Sequence, residues 1–425
     1  MSLIVFAIPV FFLLIGLELL IGKMRQLSYY RYHDSITNLS CGIGSQVAGI
    51  FLKTATIFGY KYLFEHYALF TIPTNAFTFL LLFIGVDFFY YWFHRLAHEI
   101  SLLWGSHVVH HQSEEYNLTV ALRQAWLQGA FSWVFYLPLA VIGFSTESFI
   151  LMASINTLYQ FWIHTKMIDK MWGPFEYVFN TPSHHRVHHG VNPQYIDKNH
   201  GGTMIIWDRL FNTFEPEQEE VVYGITTQPK SWNPIWLNFE YWIDLIKDSL
   251  RVSKISDAIK MYIKMPGWKP KELGGMLDYP AVNVKTFHKY DTEISSGLNN
   301  YVFAQFVVVL LATTAFLILM GGKAVTDHFA LKAAIGTWII ASLTSFGAIF
   351  EKRKWALPLE PLRLLAGIVL ITAAVTGLEH FTELSIIAAV TAYCVASLFW
   401  FMAFRTEFAD TATAPVAAQN TVEVP

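Results

Sequence analysis

The stretch Ser183–Gly190, SHHRVHHG, contains four histidines within six residues. Two other short stretches share this character, HRLAH at 94–98 and HVVHH at 107–111, and a single histidine, His164, lies in QFWIHT at 160–165. Residues three and four positions apart lie on one helix face, about 5–6 Å from each other. The histidines with this spacing therefore share one helix face within each stretch: His94 and His98; His107, His110 and His111; and His185, His188 and His189. We expect helices that end at one level to direct all of them to a common centre.

The composition indicates a membrane protein and not a set of soluble domains. Of the 425 residues, 54% are hydrophobic and only 14% are charged, whereas soluble domains carry about 25% charged residues. A bilayer core of about 30 Å needs roughly 20 apolar residues per helix. The apolar runs predict an all-α, polytopic integral membrane bundle of about nine spans: Leu3–Gly22, Cys41–Tyr62, Phe77–Phe93, Leu127–Phe144, Thr146–Ile163, Tyr301–Gly322, Phe329–Phe350, Leu362–Leu378 and Leu384–Phe404. The fourth and fifth runs form either two spans or one re-entrant hairpin.

The basic residues predict which side of the membrane the histidines face. Lys23 and Arg25 follow the first predicted span, Lys352–Lys354 follow the seventh and Arg405 follows the last. Cytosolic loops are enriched in Lys and Arg, so nine spans with an external N-terminus place these clusters and the histidines on the cytosolic side. The first run contains Glu18 and no small-residue cleavage site, which indicates an anchor and not a signal peptide. The membrane is that of the endoplasmic reticulum or the bacterial inner membrane.

The distribution of polar residues divides the chain into five zones. The connector that follows the histidine-rich zone contains an amphipathic stretch, Pro234–Lys264. Such a helix lies in the membrane interface or packs on the cytosolic domain. The zones are the N-terminal spans (1–75), the catalytic domain with the histidine boxes (76–230), the connector (231–298), the C-terminal bundle (299–405) and a tail predicted to be disordered (406–425).

Charge and cysteine content exclude several classes of partner and site. The net charge of −3 argues against a nucleic-acid partner. Cys41 and Cys394 both lie in apolar runs, so they form neither a disulfide framework nor a thiolate metal site.

The histidines form a candidate site for two metal ions. Nine of the sixteen histidines lie in HRLAH, HVVHH, QFWIHT and HRVHH, which is the 185–189 part of the opening stretch. Packed neutral imidazoles have lone pairs that need a partner, and packed protonated imidazoles repel each other. One tetrahedral ion uses four ligands at most, so nine donors indicate two ions. Imidazole binds zinc, copper, iron and nickel alike; the setting, at the end of apolar spans, favours iron. The alternatives are a solvated histidine-rich surface and a structural pair of zinc ions.

Longer phrases around these histidines resemble the fatty acid hydroxylase/sterol desaturase superfamily of membrane di-iron enzymes. Within it, the chain is similar to the alkylglycerol monooxygenase family. The resemblance covers roughly residues 77–268, and the phrases that carry it are GVDFFYYWFHRLAHE at 85–99, HHQSEEYNLTVALRQ at 110–124, LYQFWIHT at 158–165, NTPSHHRVHHG at 180–190 and IDKNHGGTMIIWDRLFNTFE at 196–215.

This resemblance implies a reaction and a set of ligands. The family uses O2 and a tetrahydropterin to hydroxylate the ether carbon of an O-alkylglycerol, and the product collapses to a fatty aldehyde and a glycerol derivative. The substrate's alkyl chain would lie among the spans, with its headgroup at the cytosolic face. Two iron ions would be bound by His94, His98, His107, His110, His111, His164, His185, His188 and His189.

Further residues near the boxes are candidates for supporting roles. The resemblance implies that Glu99 contacts a tetrahydrobiopterin-like reductant; the alternative is an exposed helix-end carboxylate. Asn117 and Arg123 shape the cofactor or headgroup pocket, or they brace the helix after the second box. The candidates for groups that support the ligands are Asp87, Gln160 and His184. Asp87 supports a ligand or partners a neighbouring span, and Gln160 binds an ion or a water or lines the pocket. His184 is a ligand, supports a ligand or is only a polar neighbour of the site.

Two other functions fit the same histidines. A sterol or fatty-acid hydroxylase or desaturase of the superfamily would use the same ligands but take electrons from a protein donor, either cytochrome b5-like or ferredoxin-like. A metal transporter or sensor is the remote alternative. Transport needs ligands distributed at bilayer depth, whereas these histidines gather at the ends of the predicted spans.

Overall fold

The computed structural model of the chain describes residues 3–277, 282, 287–320, 328–376 and 380–409. Within these ranges the chain is helical, and only two isolated bridges, Phe179 to Met204 and Gly190 to Tyr223, have β geometry. The predicted all-α class is therefore confirmed.

The described residues form helices of very different length. The N-terminal helices are α1 (Leu3–Met24), α2 (Tyr32–Tyr67), α3 (Ala76–Glu99), α4 (Ser101–Trp104), α5 (Val108–His111), α6 (Gln128–Ser132), α7 (Leu137–Ile142) and α8 (Thr146–Trp162). The central helices are α9 (Gly173–Val178), α10 (Pro182–His188), α11 (Ile206–Leu210), α12 (Pro234–Ser249) and α13 (Ile255–Ile263). The C-terminal helices are α14 (Ser296–Met320), α15 (Phe329–Phe350), α16 (Ala356–Val375) and α17 (His380–Met402). Single 3-10 turns lie at Val120–Leu122, Trp133–Tyr136, Lys271–Leu273 and Arg405–Phe408.

Six helices in the described part of the chain are long and apolar enough to cross a membrane. They are Phe6–Met24, Ala76–Glu99, Ser296–Leu319, Phe329–Phe350, Ala356–Val375 and Thr382–Met402. Helix α2 makes a seventh if its halves, Tyr32–Leu52 and Thr56–Tyr67, count as one span bent by 44°. A multi-pass membrane protein is therefore supported, whereas the predicted count of nine is not confirmed.

The difference lies in the fourth and fifth predicted spans. The apolar run at 127–144 is broken into α6, a 3-10 turn and α7. Pro138 explains the break, because a proline has no N–H and its ring clashes with the carbonyl four residues earlier. Helix α8 has 17 residues, which is roughly 25 Å and shorter than a bilayer core of about 30 Å. These two runs are therefore shorter or more broken than the six candidate spans, and whether they cross the membrane stays a prediction.

The chain divides into two compact units. The first comprises Met1–Lys230, Pro234–Tyr290 and Thr314–Asp327, and it contains all the histidine boxes. The second comprises Ser231–Asn233, Asp291–Thr313 and the residues from His328 onward. From residue 410 the tail predicted to be disordered lies outside the described residues.

In the first unit, many of the predicted ligands lie at or near the ends of helices. Helix α3 begins at a capping box, in which the Asn75 side chain accepts from the Thr78 N–H and the Thr78 hydroxyl accepts from the Asn75 N–H. It packs against α8. Its 24 residues extend roughly 36 Å, so His94 and His98 lie in its last two turns. Helix α8 ends two residues before His164.

Candidate metal centre

The nine predicted ligands lie in two compact, fully buried groups. The donor nitrogens of each group lie within 4.8 Å of one another. The first group, called here the five-histidine group, is His94, His98, His107, His111 and His188. The second, the four-histidine group, is His110, His164, His185 and His189.

The helical geometry explains how neighbouring histidines reach different groups. Successive residues of a helix point about 100° apart, whereas residues four apart share a face. His110 and His111 are neighbours on α5, and they belong to different groups. The same separation occurs at the end of α10, where His188 joins the five-histidine group and His189 joins the four-histidine group.

The pair His110 and His164 shows why these groups need a cation. The Nδ1 of His110 is 2.9 Å from the carbonyl oxygen of Arg123, and the Nδ1 of His164 is 2.7 Å from that of Gln160. A backbone carbonyl only accepts, so each Nδ1 carries the proton and each Nε2 has a lone pair. The two Nε2 atoms are 3.2 Å apart. Two lone pairs at this distance repel each other unless a positive ion lies between them.

The five-histidine group repeats this arrangement. The Nδ1 of His94 donates to the carbonyl of His200 at 2.7 Å, and that of His107 donates to the Gln128 amide oxygen at 3.1 Å. Their Nε2 atoms are 2.9 Å apart. Two nitrogens bound at about 2.1 Å to one ion, at a right angle to each other, lie about 3.0 Å apart. The spacing of the donors is therefore that of ligands around a metal ion.

Protonation does not remove this repulsion near neutral pH. Burial lowers the pKa of His107 to about 3 and that of His110 to about 4, because the charged imidazole loses its hydration. Burial also lowers the pKa of His164 well below its usual value. The buried Nε2 atoms of His98 and His188 have no hydrogen-bond partner. Neutral imidazoles with free lone pairs suit a metal site, and two groups suit two ions.

Comparison with known proteins gives the family. Residues 79–213 match the family model "Fatty acid hydroxylase". The chain is 38% identical over 358 residues to alkylglycerol monooxygenase of Xenopus tropicalis, which covers 84% of the chain and 79% of that protein. It is also 38% identical over 376 residues to alkylglycerol monooxygenase of Homo sapiens, and this match covers 86% of the chain and 81% of that protein. The chain belongs to the alkylglycerol monooxygenase family. The predicted family and the predicted class of membrane monooxygenase are thus confirmed.

A more distant relative matches a smaller part of the chain. A shorter match, 29% identical over 154 residues, is to ornithine lipid hydroxylase OlsE of Rhizobium tropici, and it covers 36% of the chain and 46% of that protein. No solved structure matches the chain.

Asp87, predicted to support a ligand or a neighbouring span, organises a loop in this family member. Its buried carboxylate accepts from the N–H groups of Thr203 (2.7 Å) and Met204 (3.0 Å), from the indole of Trp207 (2.9 Å) and from the amide of Asn156 (2.5 Å). None of these partners is one of the nine histidines. The Asp87 carboxylate therefore anchors the segment after His200 to α3 and α8.

Gln160 and His184 lie beside two members of the four-histidine group, His164 and His185. The carbonyl of Gln160 orients His164, and its side chain donates to the Asn156 amide oxygen at 2.8 Å and lines a cavity of about 210 Å³. His184 is buried, its Nδ1 lies 3.3 Å from the Thr181 hydroxyl, and it belongs to neither group. The roles predicted for both residues stay predictions.

The three residues predicted to contact the reductant differ in their surroundings. Glu99 forms an ion pair with Arg95 at 2.8 Å, and its side chain is 34% exposed. The buried guanidinium of Arg123 donates to the Val109 carbonyl (2.6 Å) and to side chains at 38 and 112, and the Asn117 amide donates to the Tyr29 carbonyl (2.7 Å). These contacts hold the segment after the second box, and the roles predicted for Asn117 and Arg123 stay predictions.

His200 and Asp197 also lie at the site, although the sequence pattern did not single them out as site residues. The ring of His200 is buried, its centroid lies 5.0 Å from that of His98, and its carbonyl holds His94. The Asp197 carboxylate lies 3.4 Å from Nδ1 of His98, and carboxylates commonly orient metal-bound histidines in this way. The quoted phrase at 196–215 contains both residues, but they lie in a loop, where spacing does not predict a shared face.

A cavity of about 240 Å³ adjoins both groups. Four of the histidines line it directly: His98, His111, His188 and His189. Apolar side chains of α4, α12 and α13 form much of the remaining wall, namely Trp104, Leu245 and Met261. The carboxylates of Asp197, Glu240 and Asp244 also face it. A molecule in this cavity would touch the candidate metal site directly.

Proposed function

We propose that the chain hydroxylates the ether-bearing carbon of an O-alkylglycerol, with two iron ions held by the five-histidine and four-histidine groups. The family supports the substrate class, since the relatives that match most of the chain are alkylglycerol monooxygenases. The opposed lone pairs of His110 and His164 support the metal ions. The product would be an unstable hemiacetal that collapses to a fatty aldehyde and a glycerol derivative.

Iron is the ion that fits this chemistry. A C–H bond next to an ether oxygen is inert to ordinary acids and bases, so the site needs an ion that activates O2. Bound iron supplies that activation. Zinc has no redox chemistry, and a structural zinc pair would not require a cavity lined by the histidines. One oxygen atom enters the C–H bond, and the other leaves as water with two electrons from the reductant.

The protein residues orient and enclose the site. Carbonyl and amide oxygens hold the outer nitrogens of five of the histidines and keep their lone pairs directed inward: His94, His107, His110, His164 and His188. The nine rings are buried, so the reacting carbon would be held in the cavity beside His98 and His188, away from bulk water.

The reductant in this proposal is a tetrahydropterin. Of the three residues predicted to contact it, Glu99 has the carboxylate that reaches the surface. It could accept from the N–H groups of a pterin ring. The guanidinium of Arg123 and the amide of Asn117 are already engaged by the protein, so they act on the cofactor only by holding the backbone beside His110.

The site is proposed to face the cytosol. If α2 counts as one span, seven helices cross the membrane, which is two fewer than the nine predicted spans, so the two ends of the chain keep their sides. The basic residues at 23–25, at 352–354 and at 405 then still share one side with the histidines. The membrane is that of the endoplasmic reticulum or the bacterial inner membrane.

A product assay tests this function. The protein is purified with iron in lipid nanodiscs and supplied with a long-chain O-alkylglycerol, O2 and a tetrahydropterin, and fatty aldehyde is measured. We expect aldehyde that depends on the pterin, none from His188→Ala, and near-normal amounts from His184→Ala, which changes a buried histidine outside both groups. Absence of aldehyde from a protein that contains two irons would refute the ether-lipid substrate. Turnover that needs a protein donor in place of the pterin would favour the sterol or fatty-acid alternative.

A further inference from the structure

Helices α12 and α13 cover the cavity beside the metal groups. Tyr241 and Leu245 of α12 and Met261 of α13 line it. Both Leu245 and Met261 are buried. The inner face of the two helices therefore forms part of the cavity wall, whereas the outer face of α13 has a different environment.

The outer face of α13 is apolar and exposed. Ile255, Ile259 and Ile263 are 81%, 56% and 58% exposed. Residues four positions apart are offset by only about 40° around a helix, so the three side chains form one stripe. Leu250, in the turn before α13, is 80% exposed and adds to it. A contiguous apolar surface of this kind marks a site that contacts another apolar phase.

A hydrogen bond places this stripe at the level where a membrane span ends. Helix α3 is a candidate span that ends at Glu99. The N–H of Ser101, two residues later, donates to the carbonyl of Lys264 at 2.9 Å. Lys264 directly follows α13. The C-terminal end of α13 therefore lies beside the end of α3, where the hydrocarbon core of a bilayer meets the headgroups.

The charges around the stripe have the sign that a membrane surface attracts. The segment 251–264 contains four basic residues and one acidic residue, Asp257. Lys260 pairs with Asp257 at 2.8 Å, and its side chain is 46% exposed. Basic residues beside an apolar helical face are typical of helices that lie in the headgroup region, and each attracts anionic lipid.

We infer that α13 and the turn before it lie in the headgroup region of the leaflet next to the active site, with the isoleucine stripe against the acyl chains and the basic residues against anionic headgroups. A lipid substrate then enters the cavity from the bilayer, beneath α12 and α13. The contact with the membrane stands by itself, whereas the entry route rests on the proposed function.

Spin labels test the membrane contact in the full-length protein. The buried Cys41 and Cys394 are first changed to alanine. Single cysteines then replace Ile255, Ile259 or Ile263. Lys260, on the same helix, is replaced as a matched control. Lys254 is also replaced by cysteine and labelled, as a second control. Nitroxides are attached in nanodiscs that contain anionic lipid, and their collisions with O2, which concentrates in lipid, and with a water-soluble nickel complex are compared.

The expected result is a higher ratio of O2 to nickel collisions at 255, 259 and 263 than at 254 and 260. Equal ratios with full access to nickel at all five positions would mean that the helix lies in water, and this overturns the inference. Labels at the three isoleucine positions that neither reagent reaches would mean that a protein surface covers the stripe, and this overturns it as well.

A kinetic comparison tests the entry route. For Ile259→Asp we expect a raised KM for a long-chain alkylglycerol presented in the bilayer, with kcat unchanged and with no change in KM for a short, water-soluble analogue. Ile259→Leu should behave like the wild type. If KM for the two substrates rises equally, the entry route is wrong. If the labels report lipid but no alkylglycerol is oxidised by the wild type, the membrane contact stands and the proposed function fails.

Discussion

His164→Ala should remove one metal ion from the protein and leave the other in place. His164 belongs only to the four-histidine group, where its Nε2 lies 3.2 Å from that of His110 and 3.0 Å from that of His185. The five donors of the other group do not include it. If the two groups bind one ion each, the substitution takes one of four ligands from a single ion.

The size of the effect follows from the number of donors. Loss of a group that merely orients a ligand lowers metal affinity about 10–100-fold. Loss of a ligand should therefore lower it at least about 100-fold, or about 2.7 kcal/mol. Three donors, His110, His185 and His189, remain for that ion. We expect the metal content to fall from two ions per chain to one after dialysis against a mild chelator.

The measurement is metal content per chain by mass spectrometry of the purified protein in nanodiscs. His184→Ala is the matched control, because His184 is also buried and lies next to His185, yet it belongs to neither group. Two ions retained by His164→Ala at unchanged affinity would show that His164 is not a ligand. Equal loss of metal from His184→Ala would show that the effect reflects general damage to the helix.

Two further predictions concern stability. Arg186 forms a largely buried ion pair with Glu217 at 2.6 Å, and Arg186→Leu should lower the free energy of unfolding by about 3–5 kcal/mol. Thermal unfolding should show a large decrease that is absent from Lys247→Leu, because the pair of Lys247 with Asp244 is exposed on both sides and contributes about 1 kcal/mol or less. For the metal-free protein, the pKa values of His107 and His110 in the folded state, about 3 and about 4, lie below the usual value of 6.5; the unfolded chain therefore binds more protons, and stability should decrease as the pH falls from about 6.5 toward 4. Unfolding midpoints of chelator-treated protein at several pH values check this, and a midpoint that rises on acidification would contradict it.

The sequence predicted the members of the site because their spacing is local. Histidines three and four residues apart share a helix face whatever the rest of the chain does. The apolar runs likewise predicted most of the spans, since hydrocarbon thickness sets helix length directly. The runs at 127–144 and 146–163 were predicted less well. A proline inside the first and the short length of the second matter more than average hydropathy.

Residues outside the helical pattern were not predictable in the same way. His200 stands alone in a loop, so no spacing marks it as a site residue, yet its ring lies beside that of His98. The loop reaches the site because the Asp208 carboxylate accepts from the N–H groups of His200 and Gly201 at 2.7 Å each, and because Asp87 holds the residues that follow. The Asp87 contact joins residues that lie 116 positions apart in the sequence.

By itself, the sequence determined that the protein is a multi-pass membrane protein of this family, and it identified the nine histidines that its helices gather. Only the tertiary structure decided which of the two groups each histidine joins and which of its nitrogens faces that group. That choice depends on carbonyl groups such as those of Lys198, which holds His188, and His200, which holds His94 across more than a hundred residues. A hydrogen bond of this kind exists only where the folded backbone brings the carbonyl to the ring. The local spacing of residues in the sequence does not predict which distant carbonyl that is.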